Sequence, residues 1–150
     1  PIRRLNTMFS DEKNNIPRVL IIEKDGALKE KVAPSLQGDY QFYSASSIDQ
    51  SLHMINQHGI HGILLDIASV GREEGFLGTR RIKATNSNGK LPVIALLPDA
   101  DPGLKTDSLL AGCTTFVVLP VSTQSLDAVI TEVINLTASF RPASANTQVG

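Results

Sequence analysis

Three charged residues in succession, Glu23-Lys24-Asp25, follow the apolar run Val19 to Ile22, and a further carboxylate, Asp66, closes the apolar run Ile63 to Leu65. Side chains at the ends of such runs converge when the runs are neighbouring strands, so carboxylates and an ammonium are expected near one another. The chemistry open to them is charge-assisted hydrogen bonding between Lys24 and Asp66 beside Glu23. No nucleophile with an adjacent base accompanies them, so the cluster offers no catalytic relay. His53, His58 and His61 lie in or beside one helical segment and lack carboxylate or cysteine partners at metal-binding spacing, so no metal site is expected from them. Gly71, Gly75 and Gly78 do not form a phosphate-cradling loop, because no strand leads directly into a glycine-rich helix start. Arg72-Glu73-Glu74 reads as a solvated turn after Asp66, at the rim of the same pocket.

The positions of these residues follow from an alternation along the chain. Short apolar runs rich in β-branched residues, Arg18–Glu23, Tyr40–Ser44, His61–Asp66, Pro92–Leu97 and Thr115–Leu119, alternate with longer amphipathic stretches. This is the pattern of a parallel sheet with crossover helices. Four of the runs are nearly continuous in apolar residues, as expected of strands covered on both faces, and the mixed second run suits an edge. Ser47 with Gln50 predicts a capping box, Asp101-Pro102 a helix start, Gly112 a left-handed helix end, and Ser122 the cap of a last helix whose stripe is Leu126, Val129, Ile130, Val133 and Ile134. Pro34 inside the first helix predicts a kink or an early end. Five βα units in a row make a doubly wound α/β sheet with helices on both faces. Its ligand site lies beyond the carboxyl ends of the strands, where Glu23, Lys24, Asp25, Asp66, Leu97, Leu119 and Pro120 fall.

Residues 17–137 are expected to form one domain, between a flexible extension over 1–16 and a flexible tail or linker over 138–150. The formal charge is −1, with both signs scattered, which gives no footprint for a nucleic acid or an anionic membrane. No apolar run approaches the ~20 residues needed to cross a bilayer, and Pro1 to Asn15 holds no signal-peptide stretch, so a cytoplasmic protein is expected. The single cysteine, Cys113, cannot close an internal disulfide and sits in an apolar stretch, as a buried thiol would.

Ordered this way, the chain from about Pro17 to Leu136 resembles the receiver domain of bacterial response regulators. In that family the first strand ends in an acidic pair, the third in the aspartate that accepts phosphate, the fourth in Thr or Ser and the fifth in Lys-Pro. The corresponding stretches here read Ile21-Ile22-Glu23-Lys24-Asp25, Ile63-Leu64-Leu65-Asp66, Val93-Ile94-Ala95-Leu96-Leu97 and Phe116-Val117-Val118-Leu119-Pro120. Glu74-Gly75 resembles the Asp-Gly that opens the family's third helix, one residue late, and Gly112 to Phe116 resembles the run leading into its fifth strand. The resemblance implies the flavodoxin-like strand order 2-1-3-4-5, a cis bond before Pro120, and an interaction surface on the fourth helix, fifth strand and fifth helix, at about Asp101 to Asn135.

The departures alter the chemistry that the resemblance implies. Lys24 puts an ammonium where an oxygen ligand for magnesium belongs, Leu97 replaces the hydroxyl, and Leu119 replaces the lysine that would meet the phosphoryl group. Phe116 counts with Leu97, Leu119 and Pro120 among the degenerate switch positions. The chain is therefore expected to be a pseudo-receiver: a non-enzymatic regulatory module of a two-component or transcription-regulatory protein. It would need no cofactor or metal, and would meet a protein partner, an output domain or a second copy. Asp66 is expected to pair with Lys24, whose ammonium would take the metal's place. Leu97 and Leu119 either fill the vacated pocket or line an apolar ligand site. Two alternatives stand: a working phosphoacceptor at Asp66 with an atypical metal arrangement, and a flavodoxin-like enzyme or ligand binder sharing the same strand ends.

Overall fold

The β-branched runs become five parallel strands in a computed structural model of the chain, which describes residues 16–36, 38–85 and 90–137. In chain order the elements are β1 (Arg18–Ile22), α1 (Ala27–Leu36), β2 (Gln41–Ala45), α2 (Ile48–His58), β3 (Gly62–Asp66), α3 (Ile67–Val70), α4 (Arg72–Thr85), β4 (Val93–Leu97), α5 (Pro102–Ala111), β5 (Thr115–Val118) and α6 (Thr123–Thr137). The sheet order is β2-β1-β3-β4-β5. That is the doubly wound order implied by the resemblance. The expected extension over 1–16 and tail over 138–150 fall outside the described residues, except for Ile16.

Strand periodicity divides the apolar residues between two cores. Leu20, Ile22, Ile63, Leu65, Val93, Ala95 and Leu97 point to the face covered by α2 to α5. Val19, Ile21, Leu64, Ile94 and Leu96 point to the opposite face, where Leu126, Ile130, Val133 and Ile134 of α6 and Leu28, Val32 and Leu36 of α1 cover them. Because β1, β3 and β4 are buried on both sides, they need apolar residues at every position. The edge strands β2 and β5 are only half-buried and tolerate Gln41 and Thr115.

Helix ends follow local chemistry. Ser47 Oγ accepts from Gln50 N at 3.1 Å, while Gln50 Oε1 accepts from Ser46 N at 2.7 Å, so the box closes one residue earlier than its usual form. Asp101 accepts from Leu104 N at 2.9 Å ahead of Pro102, and Ser122 accepts from Ser125 N at 3.0 Å. Gly112 ends α5 at φ 112°, a conformation that a side chain would strain. Pro34 does not end α1 early. The helix runs on to Leu36, because a proline this close to the end removes one backbone bond and no more. The stretch expected as a turn after Asp66 is helical: α3 forms at once, and Arg72 opens α4. Gly75 and Gly78 let α4 lie close, since a Cβ there would stand 2.6 Å from Ile67 Cδ1 and 2.3 Å from Ile48 Cδ1 respectively. Among the described residues no helix is long and apolar enough to cross a membrane.

Candidate functional site

The carboxyl ends of β1, β3, β4 and β5 carry the residues singled out by type and spacing. Glu23 follows β1 and is buried, 2% exposed. Its backbone N–H extends the sheet by donating to Ala45 O at 3.0 Å. Its side chain turns toward the start of α1, where Oε1 accepts from Leu28 N at 2.7 Å and Oε2 from Lys29 N at 2.9 Å. A buried carboxylate needs such donors, and the first-turn N–H groups of a helix need acceptors, so each satisfies the other. Asp25 contributes at the same end by accepting from Ala27 N at 3.1 Å.

Asp66 ends β3 and caps α3, its Oδ1 accepting from Ser69 N at 3.3 Å. Partial burial pushes its carboxyl above the usual range and nearby Asp25 adds to that, whereas the backbone N–H groups of Ser69 and Ala68 act in the opposite direction. Ser69 also accepts from the backbone N–H of Lys24 at 2.7 Å, which ties the loop after β1 to the loop after β3. Sequence reading missed Ser69, although its place three residues after Asp66 is the spacing of a helix cap.

Lys24 does not pair with Asp66. Its ammonium reaches the other way, to Glu74 Oε1 at 3.6 Å, with both side chains about half exposed. The reason is electrostatic and steric: the loop is open to water, and an ammonium keeps more hydration at the surface beside α4 than in the cleft.

Leu97 is fully buried in the core face beneath α5, and its carbonyl accepts from Leu119 N at 2.8 Å. Leu119 is half-buried and leans toward the opposite core. Leu119-Pro120 is cis. Phe116 is partly buried, and the ammonium of Lys105 lies 5.8 Å from its ring centroid. An open cleft of about 450 Å³ gathers Asp66, Leu119 and Pro120 with Leu28, Lys31 and Pro98. Glu23, Leu97 and Phe116 lie outside that lining.

These side chains do not fit a magnesium ion. Both oxygens of Glu23 hold backbone N–H groups, Lys24 stands at the other acidic position, and among the described residues no three His, Cys, Asp or Glu side chains cluster as ligands. The histidines serve other ends: His58 stacks on Tyr43 with centroids 4.4 Å apart, and His61 Nδ1 accepts from Arg18 N at 2.9 Å. Cys113 is buried, 3.8 Å from Thr79 Oγ1.

Solved structures that share this architecture include response-regulator receivers. A CheY-like response regulator receiver domain protein from Methanospirillum hungatei superposes with a TM-score of 0.71 at 21% identity, covering 82% of this chain and 97% of its own. The chemotaxis protein CheY4 of Vibrio cholerae gives a TM-score of 0.71 at 18% identity, over 79% of this chain and 98% of that one. NtrX from Brucella abortus gives 0.70 at 19% identity, over 81% of this chain and 26% of its much longer own. The fold is that of a response-regulator receiver. No protein-family model and no curated protein matches the sequence. On this receiver fold Asp66 occupies the end of the third strand, Leu97 the end of the fourth and Leu119-Pro120 the end of the fifth, as their order in the sequence led one to expect.

Proposed function

We propose that the chain is a receiver-like regulatory module of a bacterial two-component or transcription-regulatory protein, cytoplasmic and non-enzymatic, which works through protein contacts without phosphoryl transfer to Asp66. The observation that carries this reading is the engagement of Glu23, whose two oxygens cap α1. Phosphoryl transfer to a carboxylate depends on preorganised cations around the oxygens. Here the lysine that follows β1, Lys24, is turned to Glu74, and the strand ends that would carry a hydroxyl and an amine carry Leu97 and Leu119.

The partner surface in this reading is α5, β5 and α6. β5 is a half-buried edge, and Leu109, Leu110 and Leu136 on the flanking helices are exposed. An output domain is one candidate occupant, since the same fold accounts for about a quarter of the NtrX chain. Direct nucleic-acid binding by this unit is disfavoured by its charge of −1.

The test is exposure to a small phosphodonor, and separately to beryllofluoride with magnesium, read by intact mass and by amide NMR shifts around Asp66. The expected result is no added phosphoryl mass and no shift. A modified Asp66 would overturn the proposal in favour of a phosphoacceptor with an unusual cation arrangement.

A further inference from the structure

Three of the four exposed large apolar side chains among the described residues, Leu77, Leu109 and Leu110, stand on α4 and α5. Leu77 is 53% exposed and Leu110 70%, and the two line an open cleft of about 510 Å³ between the helices. Such a concentration on two adjacent helices calls for a cover.

The charges of α4 say what that cover is. Arg72 is paired with Asp107, Glu74 with Lys24 and Arg81 with Asp49, and the ammonium of Lys83 donates to Leu91 O. Glu73 and Arg80 are exposed and make no ion pair among the described residues. Both line the same cleft as Leu77. They stand seven residues apart, two helical turns or about 10.5 Å, with Leu77 between them on the same stripe.

A stripe with an acid at one end, a leucine at its middle and a base at the other end is complementary to itself. Turned about a two-fold axis across its centre, it sets Glu73 against the Arg80 of a second copy, Arg80 against that copy's Glu73, and Leu77 against Leu77. We infer that the α4–α5 face is a two-fold interface between copies of this chain. An unrelated partner gives no reason for two charges left without an ion pair among the described residues to flank the exposed leucine symmetrically; a second copy does. The interface removes Leu77 and Leu110 from water and gives Glu73 and Arg80 each an opposite charge. It borders the α5-β5-α6 surface, sharing α5 and Leu110 with it, but is independent of the phosphorylation state of Asp66, so the phosphodonor result does not bear on it.

The experiment is sedimentation equilibrium of the full chain over a concentration series, with circular dichroism as the check on folding. Wild type is expected to dimerise reversibly, and more weakly at high salt. Glu73→Arg and Arg80→Glu, each alone, place like charges face to face and are expected to weaken the dimer at least about tenfold. The double variant E73R/R80E regenerates the complementarity and is expected to return to within about threefold of wild type. Rescue by the double variant is something a merely structural role would not produce. A chain that stays monomeric throughout, a dimer indifferent to both reversals, or a double variant no better than the single ones overturns the inference.

Discussion

Glu23 Oε1 lies 2.7 Å from the backbone nitrogen of Leu28, and this contact assigns the one acid of the strand-end pair to the fold instead of to a cation. Glu23→Ala leaves two first-turn N–H groups without acceptors in a buried place, a loss of about 1–3 kcal/mol. Glu23→Gln retains one acceptor and turns an amide NH2 toward the second N–H, so a smaller loss of the same sign is expected. Urea denaturation measures both, and an unchanged midpoint in the alanine variant would contradict the capping role.

Asp66 gives the opposite expectation. Its carboxyl is raised by desolvation, so in the folded protein the ionised form is disfavoured relative to the unfolded chain. Stability contributed by this group therefore climbs as pH falls through the raised folded value toward the unfolded one. Asp66→Asn keeps an oxygen for Ser69 N–H and removes the charge. At neutral pH its Tm is expected to equal or exceed that of wild type, with the difference shrinking in acid. Calorimetry at two pH values decides the matter, and a lower Tm at neutral pH would show that the charge is stabilising.

His61 links β1 to the start of β3, and partial burial followed by the Arg18 charge lowers its pKa to about 4. Neutral imidazole offers Nδ1 as acceptor to Arg18 N–H, and protonation removes that acceptor. With the folded value below the unfolded one of about 6.5, stability is fully present above 6.5, falls as pH drops from 6.5 toward 4, and then levels. The ring is roughly half exposed, so after solvent screening the loss is about 1–2 kcal/mol at most. His61→Asn, which cannot titrate, is expected to show a shallower decline in Tm across that window, and parallel profiles would remove His61 as the cause.

Much of the fold was legible in order. The five apolar runs declare their burial by composition, and the caps at Ser47, Asp101 and Ser122 and the helix end at Gly112 rest on contacts between residues close in sequence, which spacing records. The placing of Asp66, Leu97 and Leu119 at strand ends followed from the same periodicity. Less was legible where a helix began without an apolar run to announce it. Arg72-Glu73-Glu74 looked like a turn, yet acids suit a helix N-terminus, and Gly75 and Gly78 supply the close approach that holds α4 against Ile67 and Ile48.

By itself, then, the sequence determined a parallel α/β sheet, its two cores and the residues that meet at its carboxyl edge, because burial at period two and capping at period three are local constraints. Only the tertiary structure decided where those residues point. Glu23 and Lys24 are neighbours in the chain, but one turns inward to backbone N–H groups five and six residues on, and the other outward to Glu74, fifty residues away. A charged side chain settles where donors, partners and water are supplied by other elements, and those surroundings exist only once the chain has folded.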